Sequence, residues 1–314
     1  MNERNLLLCD AEISYAERLG EQISKREDLS VKVYVCSSFE HALQLSSERE
    51  IHMLVIDETY SYEERNQLRA TQSFVLVREH GSALGEREHP IYKYQCADGI
   101  IREIFEVYVE KTNENIMRNL RKERPKLIAV YSPVHRVGKT TFAIALGKEM
   151  AKKRRVLYLN LEEFSGFTEE EGYNLGDILY YMKQGNGTLS MKVQTSVRQM
   201  EELCYIPPVP LVTDLREVTS LEWELLLEEL LQNSTYERII LDLGESVQGL
   251  YSILKLCDRI YMPSLREDAA ERKIHQYVQS LERMQLTKLE SITHRFVMPP
   301  QIEEYAKLRA KEEI

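Results

Sequence analysis

The chain of 314 residues carries 51 acidic and 41 basic side chains, which gives a formal net charge of −10. Hydrophobic residues make up 43% and charged residues 29% of the sequence, a composition typical of folded globular proteins that excludes an intrinsically disordered chain. The acidic balance gives no strong nucleic-acid signal and argues against non-specific binding of nucleic acid, although a local basic patch is compatible with it. The length is sufficient for two domains with separate cores.

The cysteines are dispersed and form no C-x-x-C pair, so we predict reduced thiols and neither a disulfide framework nor a zinc site. They are Cys9, Cys36, Cys96, Cys204 and Cys257.

No apolar run approaches the roughly 20 residues that a transmembrane helix needs. The first residues lead directly into an apolar run and leave no room for a secretory signal. We therefore expect a cytoplasmic protein without a transmembrane segment.

Short apolar runs alternate with helical patterns over the first predicted domain, residues 1–110. Strands are predicted at residues 6–9, 31–35, 53–57, 73–77 and 91–94, and helices between them and at residues 100–108. This alternation predicts an α/β domain in which helices cover both faces of a doubly wound parallel sheet. In such a sheet, functional side chains gather at the carboxyl ends of the strands.

Three charged residues follow or end predicted strands of this domain, namely Asp10, Asp57 and Lys93. In order and spacing, residues 4–110 resemble the flavodoxin-like receiver domains of response regulators. The resemblance implies that Asp10 belongs to an acidic pocket, that Asp57 is the phospho-acceptor and that Lys93 is the lysine of the same pocket.

The sequence departs from receiver domains at three places. Cys9 precedes Asp10, so one carboxylate of the expected acidic pair is missing for holding Mg²⁺. Arg78 follows Val77 where a Thr or Ser is expected, and Tyr94 replaces the proline after the lysine. We therefore predict a pseudo-receiver that serves dimerisation or docking, with a working phospho-switch as the alternative.

Residues 111–125 form a basic connector that ends in a proline and marks a domain boundary. Because the basic cluster is short and includes an acidic residue, a solvated helical linker is the favoured interpretation. A segment that binds DNA or anionic lipid is the alternative. Its charged residues include Arg118, Arg121, Lys122, Glu123 and Arg124.

The second predicted domain, residues 126–300, opens with an apolar run, a short loop and Gly138-Lys139-Thr140-Thr141 before an amphipathic helix. A phosphate-binding loop requires this order, because the N-terminus of the helix and the N–H groups of the loop face the phosphates while a lysine reaches the terminal ones. The first glycine of the motif G-x-x-x-x-G-K-[ST] is replaced by Pro133. The alternative is an ordinary turn with an exposed lysine.

Two later strands of this domain end in carboxylates. Asn160 and Glu162 alternate at the end of one strand, and a carboxylate there can coordinate Mg²⁺ through water or orient an attacking water. Asp242 ends the other strand and Gly244 follows, as in the second ATP-binding motif, whose glycine lets a backbone N–H approach the γ-phosphate. A buried strand with an ordinary turn is the alternative.

Residues 301–314 are predicted to form a charged C-terminal helix or tail.

The loop, the carboxylate strand and the Asp-x-Gly strand resemble, in this order, the MinD/ParA class of P-loop ATPases. With a receiver-like domain ahead of it, the chain resembles pilus-assembly localisation proteins of the TadZ/CpaE type. The resemblance implies ATP and Mg²⁺ as cofactors, a homodimer, and a protein partner in a pilus or another localised assembly. The expected fold is therefore two doubly wound α/β domains, the second being a P-loop NTPase domain with a mostly parallel sheet.

The resemblance also implies roles for individual residues. Lys139 would bind the β- and γ-phosphates, Thr140 would bind Mg²⁺, and Thr141 would bind the α-phosphate. Asp242 would hold a water ligand of Mg²⁺, and Glu162 takes the place of the switch aspartate that helps to activate water. The predicted nucleotide loop consists of Pro133, Val134, His135, Arg136, Val137, Gly138, Lys139, Thr140 and Thr141.

The departures from the class bear on hydrolysis. Val134 replaces the early lysine that reaches across the dimer, and His135 and Arg136 replace two glycines. Asn160 stands where the class has an aspartate. We expect a nucleotide-binding switch with weak ATPase activity. The position of Arg136 motivates the hypothesis that it supplies the missing charge in cis or in trans. The alternatives are a non-enzymatic scaffold with a degenerate site and a DNA-partition ATPase, the latter disfavoured by the acidic composition.

Overall fold

Two sheets organise the part of the chain that the computed structural model describes, which is residues 3–26, 29–78, 84–112, 114, 116, 124–167, 172–183 and 189–313. The chain divides into two compact units, one of residues 1–120 with 186–191 and the other of residues 121–185 with 192–314. The predicted α/β class and a mostly parallel sheet are confirmed. No described helix is both long and apolar enough to span a membrane.

The first unit contains a five-stranded parallel sheet in the order β2-β1-β3-β4-β5, the doubly wound order in which the chain reverses direction between β1 and β3. Its strands are β1 (Arg4–Cys9), β2 (Val31–Cys36), β3 (Ile51–Asp57), β4 (Ala70–Val77) and β5 (Glu88–Tyr92). Its helices are α1 (Ile13–Ser24), α2 (Phe39–Glu48), α3 (Tyr62–Arg65) and α4 (Ala97–Thr112).

The apolar runs of these strands follow from burial on both faces of the sheet. In β1, Leu6 and Leu8 belong to one hydrophobic cluster, whereas Leu7 and Cys9 belong to the cluster on the other face. A strand that is buried on both sides shows a continuous apolar run, which explains why β1 and β3 were readily predicted. The fifth strand ends at Tyr92, slightly earlier than predicted.

The first unit continues past residue 110, where the sequence places its end. Ile116 is buried in the core, and its carbonyl accepts the N–H of Ser30 at 2.8 Å. Glu114 accepts the hydroxyl of Tyr108 at 2.6 Å and pairs with Arg4 at 2.9 Å. Arg118, Arg121, Lys122 and Glu123 of the predicted linker lie outside the described residues.

The second unit contains a seven-stranded sheet in the order β12-β11-β6-β10-β7-β9-β8, parallel except for the antiparallel pair of β8 and β9. Its strands are β6 (Lys126–Val130), β7 (Val156–Leu161), β8 (Arg198–Met200), β9 (Leu203–Ile206), β10 (Arg238–Leu243), β11 (Arg259–Ser264) and β12 (Thr293–Val297). Its helices are α5 (Lys139–Ala151), α6 (Leu175–Lys183), α7 (Leu189–Ser196), α8 (Val212–Glu217), α9 (Ser220–Asn233), α10 (Leu250–Leu256), α11 (Asp268–Arg283), α12 (Lys288–Ser291) and α13 (Ile302–Glu313).

The central strands β6, β10 and β7 are direct neighbours, and their register decides which residues meet. Asp242 of β10 lies opposite Val130 of β6 on one side and opposite Asn160 of β7 on the other. The carboxyl ends of three parallel strands therefore lie side by side. This edge of the sheet receives the loop after β6, Asp242 and the segment after β7.

Helix α9 begins with a capping box, in which Thr219 and Glu222 each accept the other's backbone N–H. Trp223 is fully buried on the apolar face of this helix.

Helix α13 packs against α5 through small and aromatic side chains. Ala306 and Ala310 are buried in the same cluster as Phe142 of α5, and the centroids of the Tyr305 and Phe142 rings lie 6.0 Å apart. Segment 301–314 is thus mostly a packed helix over its described residues 302–313.

The last turn of α13 is anchored at the amino ends of the central strands. Glu313 is buried, and its carboxylate accepts the Tyr261 hydroxyl at 3.0 Å and pairs with Arg259 at 3.2 Å. Lys126 lies 3.9 Å away, and the guanidinium of Arg238 donates to the Glu313 carbonyl at 2.6 and 2.8 Å. Cationic residues at the starts of β6, β10 and β11 thus surround one carboxyl-terminal turn.

Candidate functional site

Two residues of the loop between β6 and α5 adopt the left-handed region of backbone conformation. Gly138 precedes α5 with a φ of 76°, and Arg136 has a φ of 57°. Glycine adopts this region freely, whereas an arginine there costs roughly 1–2 kcal/mol. Arg136, which the sequence places where the class has a glycine, therefore keeps a glycine-like backbone, and its side chain is exposed.

The first half of the loop is held by packing against the unit. Ser132 is buried and its hydroxyl accepts the N–H of Val134 at 3.1 Å. Val134 and Val137 are also buried, and Pro133 is half-buried, so these three side chains serve the fold. His135 is exposed, with Nε2 3.4 Å from Glu245 Oε2. Val134 therefore does not present a side chain to solvent at the position of the missing lysine.

Lys139 is the first residue of α5 and its side chain is nearly buried. Its Nζ lies 3.0 Å from Oε1 of Glu162, the residue that follows β7. The backbone N–H of Glu162 donates to Oδ1 of Asn160 at 3.0 Å, which fixes the segment after the strand. Thr140 is half-buried and Thr141 is exposed on the next positions of the helix. The structure thus brings the predicted lysine and the predicted switch carboxylate into contact.

Asp242 is fully buried at the end of β10. Its Oδ2 accepts the hydroxyl of Tyr158 at 3.0 Å and lies 3.4 Å from Nδ2 of Asn160. Its Oδ1 receives no hydrogen bond of good geometry from the described residues, although the Thr140 hydroxyl is close enough to lower the pKa. One carboxylate oxygen therefore remains available to a cation.

Burial raises the pKa of Asp242 to about 6, and repulsion from Glu162 adds to the increase. The hydrogen bond from Tyr158, the nearby Thr140 hydroxyl and the charge of Lys139 act in the opposite direction. Burial also raises the pKa of the Tyr158 hydroxyl, with the Asp242 charge as the second cause, so the tyrosine remains a donor. The carboxyl group would be stabilised by any cation that approaches Oδ1.

These residues fit a magnesium-bound nucleotide. Mg²⁺ prefers hard oxygen ligands and is held by one or two carboxylates together with phosphate oxygens and waters. The buried Oδ1 of Asp242 and the Thr140 hydroxyl are such ligands. Among the described residues, no group of three or more His, Cys, Asp or Glu residues is placed to hold a metal by itself. Phosphate oxygens would therefore have to complete the coordination.

Gly244 has a different environment from the one that its motif implies. Its N–H donates to the carbonyl of Leu161 at 3.1 Å, so it is not directed at a ligand in this conformation. A Cβ at this position would lie 3.0 Å from that carbonyl oxygen and 3.1 Å from Oε2 of Glu162. The glycine is required because the ends of β7 and β10 approach closely.

Tyr158 is the member of this site that the sequence analysis missed. It lies two residues before Asn160 on β7, so both side chains point to the same face and both reach Asp242. The available signal was this period of two, with a hydroxyl in an otherwise apolar strand. A tyrosine in a buried strand is usually a packing residue, and for that reason it attracted no functional interpretation.

In the first unit, Asp10, Asp57 and Lys93 also meet at the carboxyl edge of the sheet. Lys93 Nζ lies 2.8 Å from Asp10 Oδ2 and 2.6 Å from Asp57 Oδ2, and all three side chains are buried. Burial raises the pKa of Asp10, whereas hydrogen bonds from Lys93 and Thr59 outweigh burial and lower the pKa of Asp57. Arg78, which stands where a Thr or Ser hydroxyl was expected from the sequence, also contacts Asp57.

No protein-family model and no curated protein matches the sequence. Among solved structures, the chain is similar to a plasmid partition protein from Borrelia burgdorferi at 18% identity and a TM-score of 0.43, over 58% of this chain and 83% of that one. It is similar to a ParA family ATPase from Chlorobium tepidum at 13% identity and a TM-score of 0.45, over 59% and 90%.

A third similar structure is a cobyrinic acid a,c-diamide synthase from Mycobacterium smegmatis with a bound ATP analogue and magnesium. It has 14% identity and a TM-score of 0.43, over 60% of this chain and 83% of that one. Each of these three likenesses covers somewhat more than half of this chain.

Proposed function

We propose that the second unit binds ATP with Mg²⁺ and acts as a nucleotide-dependent switch with weak ATPase activity. The observation that carries the proposal is the convergence of Lys139, Glu162 and Asp242 at the amino end of α5. A cationic side chain, a helix N-terminus and a buried carboxylate with an available oxygen form a site for a phosphate and its cation.

In the proposed mechanism, the backbone N–H groups at the start of α5 and the Nζ of Lys139 hold the terminal phosphates. The Thr140 hydroxyl and Asp242 would hold Mg²⁺, and the cation when bound would neutralise phosphate charge. Tyr158 and Asn160 orient Asp242 through its other oxygen. Glu162 must release Lys139 before that lysine can bind phosphate, and its carboxylate is then available to orient the attacking water.

Three features support slow turnover. Asn160 places a neutral amide beside Asp242 where the class has a carboxylate. Glu162 is paired with Lys139, so its carboxylate is not positioned beside a water nucleophile until the pair opens. Val134 is buried at the position of the cross-dimer lysine. Slow hydrolysis favours a switch, because the bound state then lasts long enough for a partner to respond.

We further propose that ATP closes a homodimer and that the chain positions a protein partner, in the manner of TadZ/CpaE-type proteins. The first unit, as a pseudo-receiver, would supply the docking surface or a second dimer contact. Size-exclusion chromatography with light scattering in the presence of a non-hydrolysable ATP analogue tests the dimer. A monomer at every nucleotide condition would remove this part of the proposal without affecting nucleotide binding.

Calorimetric titration with ATP and Mg²⁺ tests the main proposal. Lys139→Ala should weaken binding by about 100-fold, which corresponds to about 2.8 kcal/mol. Lys148→Ala is the matched control, because Lys148 lies on the same helix and pairs with Glu201 away from the loop. Absence of binding by the wild type, or equal binding by Lys139→Ala, would instead support a non-enzymatic scaffold.

A further inference from the structure

Arg78 holds Asp57 with both branches of its guanidinium. NH1 lies 3.2 Å from Oδ1 and NH2 lies 3.1 Å from Oδ2, a bidentate arrangement that is stronger and more specific than a single contact. Arg78 follows β4 directly, next to the strand that ends in Asp57, so a long side chain at this position reaches the carboxylate across the edge of the sheet.

Other donors occupy the remaining sites of the same carboxylate. The backbone N–H of Thr59 donates to Oδ1 at 2.9 Å, and Nζ of Lys93 donates to Oδ2 at 2.6 Å. A carboxylate has about four lone-pair positions, and each oxygen of Asp57 now accepts two hydrogen bonds. Because Asp57 is also fully buried, neither oxygen is free to bind a ligand or to attack an electrophile.

The pocket holds more negative than positive charge. Glu12 Oε1 lies 3.3 Å from Lys93 Nζ and 3.6 Å from Arg78 NH2, and Glu58 Oε1 lies 3.4 Å from Arg78 NH1. With Asp10 and Asp57, these side chains amount to four carboxylates around two cations. Carboxylates gathered at one edge are the ligands that a divalent cation prefers. In this structure the guanidinium of Arg78 lies among them, and no group of three or more His, Cys, Asp or Glu residues in the described part of the chain is placed to hold a metal ion.

The charge of Arg78 is secure in this position. Its side chain is 30% exposed, and burial acts against the charged form. Hydrogen bonds with Tyr94 and Asp57 outweigh that effect and raise the pKa of the guanidinium further above its already high range. The arginine therefore remains a fixed cation at every pH at which the protein is folded.

We propose that Arg78 is a built-in counter-ion that takes the place of a divalent cation in this carboxylate pocket and prevents Asp57 from binding metal or accepting a phosphoryl group. This inference concerns the first unit and is independent of nucleotide binding by the second. It makes the first unit a module with one fixed state, whose surfaces are not switched by modification of Asp57.

Manganese binding tests the proposal on the full chain without nucleotide, measured by the loss of the electron paramagnetic resonance signal of free Mn²⁺. Arg78→Ser should bind one additional Mn²⁺ at least tenfold more tightly than the wild type, because removal of one of the two cations leaves Lys93 alone among four carboxylates. The additional site should disappear in the double variant Arg78→Ser with Asp57→Asn. Arg18→Ser, which removes an exposed arginine of α1 in the same unit, should behave as the wild type.

Arg78→Gln is the second variant, since its longer neutral side chain preserves packing if Arg78→Ser unfolds, and circular dichroism verifies the fold of both. Folded Arg78 variants that bind no more Mn²⁺ than the wild type would overturn the proposal. It would equally be overturned if the wild type bound Mn²⁺ in a manner that Asp57→Asn abolishes. Labelling of wild-type Asp57 by radioactive acetyl phosphate would contradict it directly, and the expected result is no labelling.

Discussion

Lys139 and Glu162 form an ion pair at the mouth of the loop, with Nζ 3.0 Å from Oε1. The Glu162 carboxylate thus pairs with the ammonium group of Lys139 that a phosphate would bind. Both side chains are largely withdrawn from water, with exposures of 10% and 22%, so the pair is more than a weak surface contact. A phosphate that approaches Nζ of Lys139 would also approach the Glu162 carboxylate, and repulsion between the two anions would favour movement of the segment after β7.

Glu162→Gln should separate binding from turnover. Glutamine has a similar shape but no charge, so it neither neutralises Lys139 nor repels the γ-phosphate. We expect about tenfold tighter ATP binding by calorimetry and at least tenfold slower phosphate release. Glu163→Gln is the control, because Glu163 pairs with Arg216 at the surface. Weaker ATP binding by Glu162→Gln would instead mean that this carboxylate holds the cation.

Asp242→Asn should stabilise the nucleotide-free protein at neutral pH. The carboxyl has a pKa of about 6 in the folded chain and 3.8 as its ordinary value, a difference that corresponds to about 3 kcal/mol. The folded state binds the proton more tightly, so the cost of the charge is absent below about pH 4 and complete above about pH 6. The variant should therefore melt several degrees higher at pH 7.5, and the difference should shrink as the pH approaches 4.

Thermal melting at several pH values provides the measurement for Asp242→Asn, with the exposed Asp268→Asn as the control. The same variant should lose the Mg²⁺ dependence of ATP binding, since Asn offers no charge to the cation. A variant that is less stable than the wild type at pH 7.5 would show that the hydrogen bond from Tyr158 outweighs the cost of the buried charge.

Three substitutions of Arg136 should separate the effect of its charge from the effect of its backbone conformation. Arg136→Gly removes both the charge and the cost of the positive φ, so the nucleotide-free protein should gain roughly 1 kcal/mol while turnover falls about tenfold. Arg136→Ala should reduce turnover equally but without the gain in stability, and Arg136→Lys should retain most of the activity. Unchanged ATP turnover and nucleotide-dependent dimerisation in Arg136→Ala would exclude a role for the charge.

Glu313→Gln should destabilise the second unit by about 2 kcal/mol, because it weakens a buried carboxylate that accepts from Tyr261 and pairs with Arg259. The melting temperature should fall by roughly 4–8 °C. Glu312→Gln removes the neighbouring carboxylate, which pairs with Arg309 at the surface, and should have little effect. Equal effects of the two substitutions would indicate a general contribution of charge and not the specific anchor.

The sequence was informative where the fold itself determines the outcome. Strands buried on both faces show apolar runs, and the residues that follow parallel strands gather at one edge of the sheet, so the contacts of Lys139 with Glu162 and of Lys93 with Asp57 were foreseeable. Contacts that depend on how far a long side chain extends could not be predicted in this way. Arg78 extends to Asp57 from the adjacent strand, and the period along β4 carries no sign of that contact.

Helix α13 illustrates a second limit. Its buried face includes Ala306 and Ala310, whose small size gives little hydrophobic signal among many charges. Their burial depends on the shape of α5, which the segment itself does not encode. Glu313 appeared as one more surface charge, because its cationic partners lie on three strands that are far apart in the sequence.

The two ends of α13 have different constraints. Its first turn places Ile302 beside Gly138 of the loop, whereas its last turn is fixed by Glu313 at the opposite edge of the sheet. A helix of 12 residues is about 18 Å long, so α13 connects the loop before α5 with the amino ends of the central strands as one packed element. If a bound phosphate displaced the loop, the contact of Ile302 with it would change, and the surface of α13 would report the state of a site that it does not itself contain.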